Sequence, residues 1–129
     1  MRQTVQQLLA EARSRIREIN ADELRALQAR GVPIVDVREP AEFAAGHVPG
    51  ASSIPRGVLE FEIDGHPAVN CERDPALAHR DQPIVLYCRS GGRSALAAEA
   101  LQRLGFAEPL SLAGGYLGWT EGGGEVEGA

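Results

Sequence analysis

"PIVLYCRSGGRSALAAEALQRLG", residues 83 to 105, changes its hydrophobic period halfway along. Pro83 to Tyr87 is a short apolar run of the kind that forms a buried strand, and from Arg93 onward the apolar positions recur at helical spacing, with Gly105 as the stop. A strand, a tight loop and a helix in direct succession are the unit of which parallel α/β sheets are made. Between the two periods stand Cys88, Arg89, Ser90, Gly91, Gly92, Arg93 and Ser94. A cysteine with only a packing role needs apolar neighbours, so this loop is arranged for something anionic.

Outward from this unit the chain keeps the same alternation. "PIVDVRE" (33–39) reads as a second buried strand whose end emerges at Asp36 to Glu39, and "EPLSLAGG" as a last short strand. "NADELRALQARG" reads as a helix, with Asn20 as N-cap and Gly31 as stop. "VLEFEID" fits strand or helix, and a short helix is expected around "PALAHR". "TVQQLLAEARSRIREI" has Val5, Leu8, Leu9, Ala12, Ile16 and Ile19 at helical spacing. Three segments are expected: an amphipathic helix over 1–19 docked on the domain, the domain itself over 20–120, and a disordered Gly/Glu-rich tail over 121–129. The fold class predicted is α/β, with a mostly parallel central sheet flanked by helices.

The chain of 129 residues is long enough to bury a core without disulfide or metal staples. Thirteen basic and eighteen acidic residues leave a net charge of −5, which argues against a nucleic-acid or anionic-membrane surface. Every basic residue is Arg, so Schiff-base chemistry and a phosphate-loop lysine are excluded. The two cysteines form no CxxC or disulfide framework, and no apolar run approaches the roughly 18 residues of a membrane span. A soluble cytoplasmic protein is expected, with no cofactor.

The position of Cys88 has its own electrostatics. Ligands of such sheets collect beyond the carboxyl ends of strands, and Cys88 sits there, just before a helix N-terminus whose first amides lack intrahelical partners. Gly91 and Gly92 can take positive φ and add no Cβ, so the loop amides can turn inward around an anion. With Arg89 and Arg93 close by, the thiol is expected to ionise below the ordinary value of about 8.5 and act as a nucleophile.

"DVRE" at 36–39, "EF" at 42–43 before "GHVPGA" at 46–51, "YCRSGGRSALAA" at 87–98 and "LAGGYLGW" at 112–119 together resemble the single-domain rhodaneses, the thiosulfate sulfurtransferases. The resemblance implies a rhodanese-like fold in which Cys88 takes the sulfane sulfur of thiosulfate, or of another small donor, and holds it as a persulfide. The sulfur then passes to a thiol or cyanide acceptor. Arg89, Ser90, Gly91, Gly92, Arg93 and Ser94 would bind substrate and persulfide. In the family pattern the acidic position after the second strand braces the loop, so Asp36 is expected to pair with Arg93 or hold loop amides. Arg38 and Arg56 could guide a dianionic donor or simply be solvated.

His47 is expected to be a hydrogen-bonding turn residue and Trp119 a core anchor. His66, Cys71 and His79 lack zinc-site spacing, so no metal is expected, and Cys71 is read as a bystander. Two other functions compete: a redox-sensing or partner-binding module without turnover, and a related phosphatase or arsenate reductase. The latter enzymes place five residues between cysteine and arginine, where this chain has four. The protein partner is not indicated by the sequence.

Overall fold

A computed structural model of the chain describes residues 2–63 and 80–128. In chain order it runs α1 (Val5–Arg15), β1 (Arg17–Ile19), α2 (Ala21–Ala29), β2 (Ile34–Asp36), α3 (Pro40–Ala44) and β3 (Ser52–Ser53). A 3₁₀ turn (Arg56–Val58), α4 (Leu59–Glu62), β4 (Pro83–Tyr87), α5 (Gly92–Arg103), β5 (Glu108–Leu112) and α6 (Gly115–Glu121) follow. The five strands form one sheet in the order β1-β5-β4-β2-β3, and every neighbouring pair is parallel. Within the ambiguous "VLEFEID" stretch, Leu59–Glu62 are helical. The expected helix around "PALAHR", together with His66, Cys71 and His79, lies outside the described residues, apart from Arg80.

Strand periodicity divides the core. Along β4, Ile84 and Leu86 face a cluster with Val35, Ala97, Ala98 and Leu101, which is the α5 side of the sheet. Val85 and Tyr87 face the opposite cluster of Leu24, Leu110, Leu112 and Trp119, and Trp119 is the core anchor its pattern suggests. By the same alternation Cys88 falls on the α5 face. From β2 the chain crosses to β3 at one edge, and from β4 to β5 in the other direction. The crevice beyond the carboxyl ends of β2 and β4 is thus the switch point of the sheet, where ligands collect in such folds.

Two expectations are corrected. The helix over 1–19 stops at Arg15, and Arg17–Ile19 instead form β1, paired with β5 at Arg17↔Leu110 and Ile19↔Leu112. Without β1, the β5 edge would present unpaired amides and carbonyls, and satisfying them outweighs helix propensity over three residues. The tail is not disordered over its described length: Glu127 forms an antiparallel bridge with His47, and Trp119 Nε1 donates to the Glu125 carbonyl at 2.7 Å. Gly124 makes this path possible, since a Cβ there would lie 2.3 Å from the Trp119 ring. Among the described residues no helix is long and apolar enough to cross a membrane.

Candidate active site

Cys88 is the first residue past β4 and is 1% exposed. Gly91, at φ 110° and N-cap of α5, turns the chain back so that its amide donates to Cys88 Sγ at 3.0 Å. Most side chains would be strained at that φ. The Ser94 hydroxyl lies 3.7 Å from the sulfur. Burial by itself would push the thiol up. Hydrogen bonds from the amide and hydroxyl of Ser94 and from the amides of Gly91 and Ser90 outweigh it and hold Cys88 below its ordinary value. The expected low thiol has the loop amides and Ser94 as its leading causes, and Arg93 is coupled to the sulfur by charge.

Arg89 and Ser90 are exposed at the rim. Arg93 does not pair with Asp36. Its guanidinium forms a two-pronged bond with Glu42 on α3, at 2.8 and 3.2 Å. This pair holds the Glu42 carboxyl at about 2, against an ordinary 4.5. Asp36, fully buried, pairs instead with Arg38, accepting from its Nη2 at 2.7 Å, its Nε at 3.0 Å and its backbone amide at 2.9 Å. The geometry is favoured because residues two apart at a strand end point to the same side. Arg38 also donates to the Gly46 carbonyl at 2.7 Å and stacks over the Tyr116 ring at 4.2 Å.

Arg38, Glu42, Gly46, Arg89, Tyr116 and Leu117 line an open cleft of about 260 Å³ over the switch point. Arg56 is not among them. It pairs with Glu60 at 2.8 Å and borders a separate groove with Leu96 and Arg103. His47 is a turn residue: its Nδ1 lies 2.9 Å from the Phe43 carbonyl, and its ring stacks on Phe43 at 3.7 Å.

The far side of the loop is held by the first turn of α6. The Tyr116 amide donates to the Cys88 carbonyl at 2.8 Å and the Leu117 amide to the Arg89 carbonyl at 3.0 Å. Gly115, at φ 57°, allows this approach, because a Cβ there would lie 2.6 Å from both carbonyl oxygens. Glu42, Ser111 and Gly115 were not singled out by the sequence reading, although Glu42 and Gly115 fall inside quoted motifs. Ser111 carries its own signal, a single hydroxyl in the otherwise apolar strand "PLSL". Its Oγ lies 2.8 Å from that of Ser94.

The model of the Rhodanese-like domain matches residues 20–122. Over 110 residues the chain is 32% identical to a sulfurtransferase of Allochromatium vinosum, covering 84% of this chain and 92% of that protein. It is 34% identical to the human thiosulfate:glutathione sulfurtransferase, with 80% of this chain and 92% of the relative covered. A solved structure from Rhodopseudomonas palustris, described as a protein of unknown function and possible tyrosine phosphatase, superposes with a TM-score of 0.80 at 34% identity. That match covers 98% of this chain and 96% of the other.

Proposed function

The chain belongs to the rhodanese-like domain family, and on that premise we propose that it is a sulfurtransferase working through a persulfide on Cys88. Cys88, as thiolate, attacks the sulfane sulfur of thiosulfate or of another small sulfane donor. A sulfur–sulfur bond to Cys88 forms, the donor's own sulfur–sulfur bond breaks, and its electron pair leaves with the rest of the donor, which is sulfite when the donor is thiosulfate. The persulfide keeps one negative charge on its outer sulfur, about 2 Å beyond Sγ if the bond resembles a disulfide. A thiol or cyanide then removes that sulfur and regenerates the thiolate.

The observation that carries this reading is the ring of donors on Cys88 Sγ, with the Gly91 amide at 3.0 Å, at the mouth of the switch-point crevice. Amides already oriented toward an anion stabilise a thiolate and a persulfide alike, and they need no reorganisation between the two states. The names of the relatives, a sulfurtransferase and a thiosulfate:glutathione sulfurtransferase, support the same chemistry. Arg89 and Arg38, on the cleft wall, are suited to hold the departing oxyanion. The test is the intact mass of the protein after thiosulfate. A gain of one sulfur, removed by cyanide and absent in Cys88→Ser, is the expected result. An unchanged mass would overturn the proposal.

A further inference from the structure

Ser111 is fully buried, one residue before the end of β5, and strand alternation turns it away from Leu110 and Leu112 toward the α5 face, where Cys88 also points. Among the described residues its hydroxyl has one hydrogen-bond partner, Ser94 Oγ at 2.8 Å. A buried hydroxyl proton left without an acceptor is costly, so Ser111 donates to Ser94. This direction has a consequence for the sulfur. Ser94 has a single proton, which goes to the Gly91 carbonyl at 3.3 Å while the neutral Cys88 thiol donates to Ser94 Oγ at 3.7 Å. Once ionised the sulfur can only accept, and with Ser111 acting as donor the Ser94 proton then has two acceptors, that carbonyl and Cys88 Sγ. The Gly91 carbonyl already accepts the Ala95 amide at 3.1 Å. Against a neutral carbonyl so occupied, an ionised sulfur is the stronger acceptor.

We infer that Ser111 is a positioning residue for Cys88: by donating to Ser94 it commits the Ser94 proton to the sulfur, forming a two-hydroxyl chain from the sheet interior to the nucleophile. The inference deepens the sulfurtransferase reading, since it concerns the thiolate on which that reading rests. Without Ser111, the Ser94 hydroxyl turns back along its own helix to Gly91, and the thiolate loses a donor it cannot replace from water in a closed loop.

The experiment is the rate of Cys88 alkylation against pH, read from the mass of the peptide that carries it, in the native chain, Ser111→Ala, Ser94→Ala and the double variant. Ser111→Ala is expected to reduce the thiolate fraction below the midpoint about threefold. Ser94→Ala should reduce it at least as much, and the double variant no further than Ser94→Ala alone. A profile unmoved in Ser111→Ala, even with a lower melting temperature, overturns the inference and leaves Ser111 a packing residue. So does a double variant in which the two losses multiply. Sulfur loading from thiosulfate on the same samples keeps the two claims apart, because a native chain that titrates as expected but takes up no sulfur contradicts the sulfurtransferase reading alone.

Discussion

Both carboxylate oxygens of Glu42 accept hydrogen bonds from the two terminal nitrogens of Arg93, at 2.8 and 3.2 Å, and so tie α3 to the first turn of the helix that follows the cysteine loop. Glu42 is also the acceptor for the Glu39 amide at 3.1 Å, which anchors it at the start of its own helix. The loop is therefore braced from α3, a segment on the opposite wall of the cleft.

The brace has a pH signature. The Glu42 carboxyl is held at about 2 in the folded chain and returns to about 4.5 when unpaired. A depressed carboxyl contributes stability that is fully present above the unfolded value and is lost as pH falls through the folded one. Glu42→Gln should lower stability by about 1 kcal/mol near neutrality, as suits a part-exposed pair. The gap between the two melting curves should close as pH falls from about 4.5 to 2. A gap constant over that interval would show that the pair adds nothing to folding.

Arg93→Lys keeps the charge and removes the planar fork. One ammonium cannot satisfy both Glu42 oxygens in the same geometry, so sulfur loading should fall roughly tenfold while the fold survives. Equal loading rates in the two proteins would reduce Arg93 to a charge.

Asp36 acts on the fold more than on the thiol. Asp36→Ala leaves the Arg38 guanidinium, 4% exposed, without its carboxylate. Breaking a buried pair from one side costs about 3–5 kcal/mol, so the melting temperature should drop by more than about 10 °C. The alkylation profile of Cys88 should stay within a few tenths of a unit, since Asp36 makes none of the bonds to the loop. A large shift of the thiol with little loss of stability would restore Asp36 to the site.

Gly115→Ala drives a methyl group to within 2.6 Å of the Cys88 and Arg89 carbonyl oxygens, at a backbone angle that side chains seldom adopt. Backbone atoms cannot rotate away, so the loop must move. Both stability and sulfur transfer should fall, whereas Gly118→Ala in the same helix, with its nearest neighbour at 4.0 Å, should be neutral or slightly stabilising. If both variants behave alike, the close approach is not what holds the loop.

Four residues between Cys88 and Arg93 make a small ring. One more residue would add up to about 3.3–3.6 Å of chain, the kind of enlargement that a tetrahedral oxyanion needs. No useful hydrolysis of an aryl phosphate is therefore expected, despite the likeness to a structure described as a possible tyrosine phosphatase. Steady turnover of that substrate, lost in Cys88→Ser, would contradict the argument from ring size.

Local pattern was enough wherever the physics is local. The switch from period two to helical period around Cys88 identified β4 and α5, and Asn20 and Gly31 marked the ends of α2, because strand alternation and capping depend on neighbours in the chain. The same reasoning failed where a distant partner decides. Residues 17–19 satisfy a helical pattern, but the unpaired edge of β5 recruits them as a strand. The glycine-rich tail has the composition of disorder, yet its glycines let it lie against Trp119 and meet His47.

The site divides the same way. Spacing along the chain was enough to mark Cys88 as the candidate nucleophile, its place between a strand end and a helix N-terminus, and the glycine that turns the loop amides inward, since all lie within a few residues of one another. Which carboxylate serves which arginine depends on how the folded segments meet. Asp36 turns to Arg38, two residues away, and leaves Arg93 to Glu42, fifty-one residues earlier in the chain. Ser111 reaches Ser94 from a neighbouring strand in the same manner. Ion pairs and hydrogen bonds act over about 3 Å, a distance that spacing along the chain does not encode once the sheet has brought separate segments together.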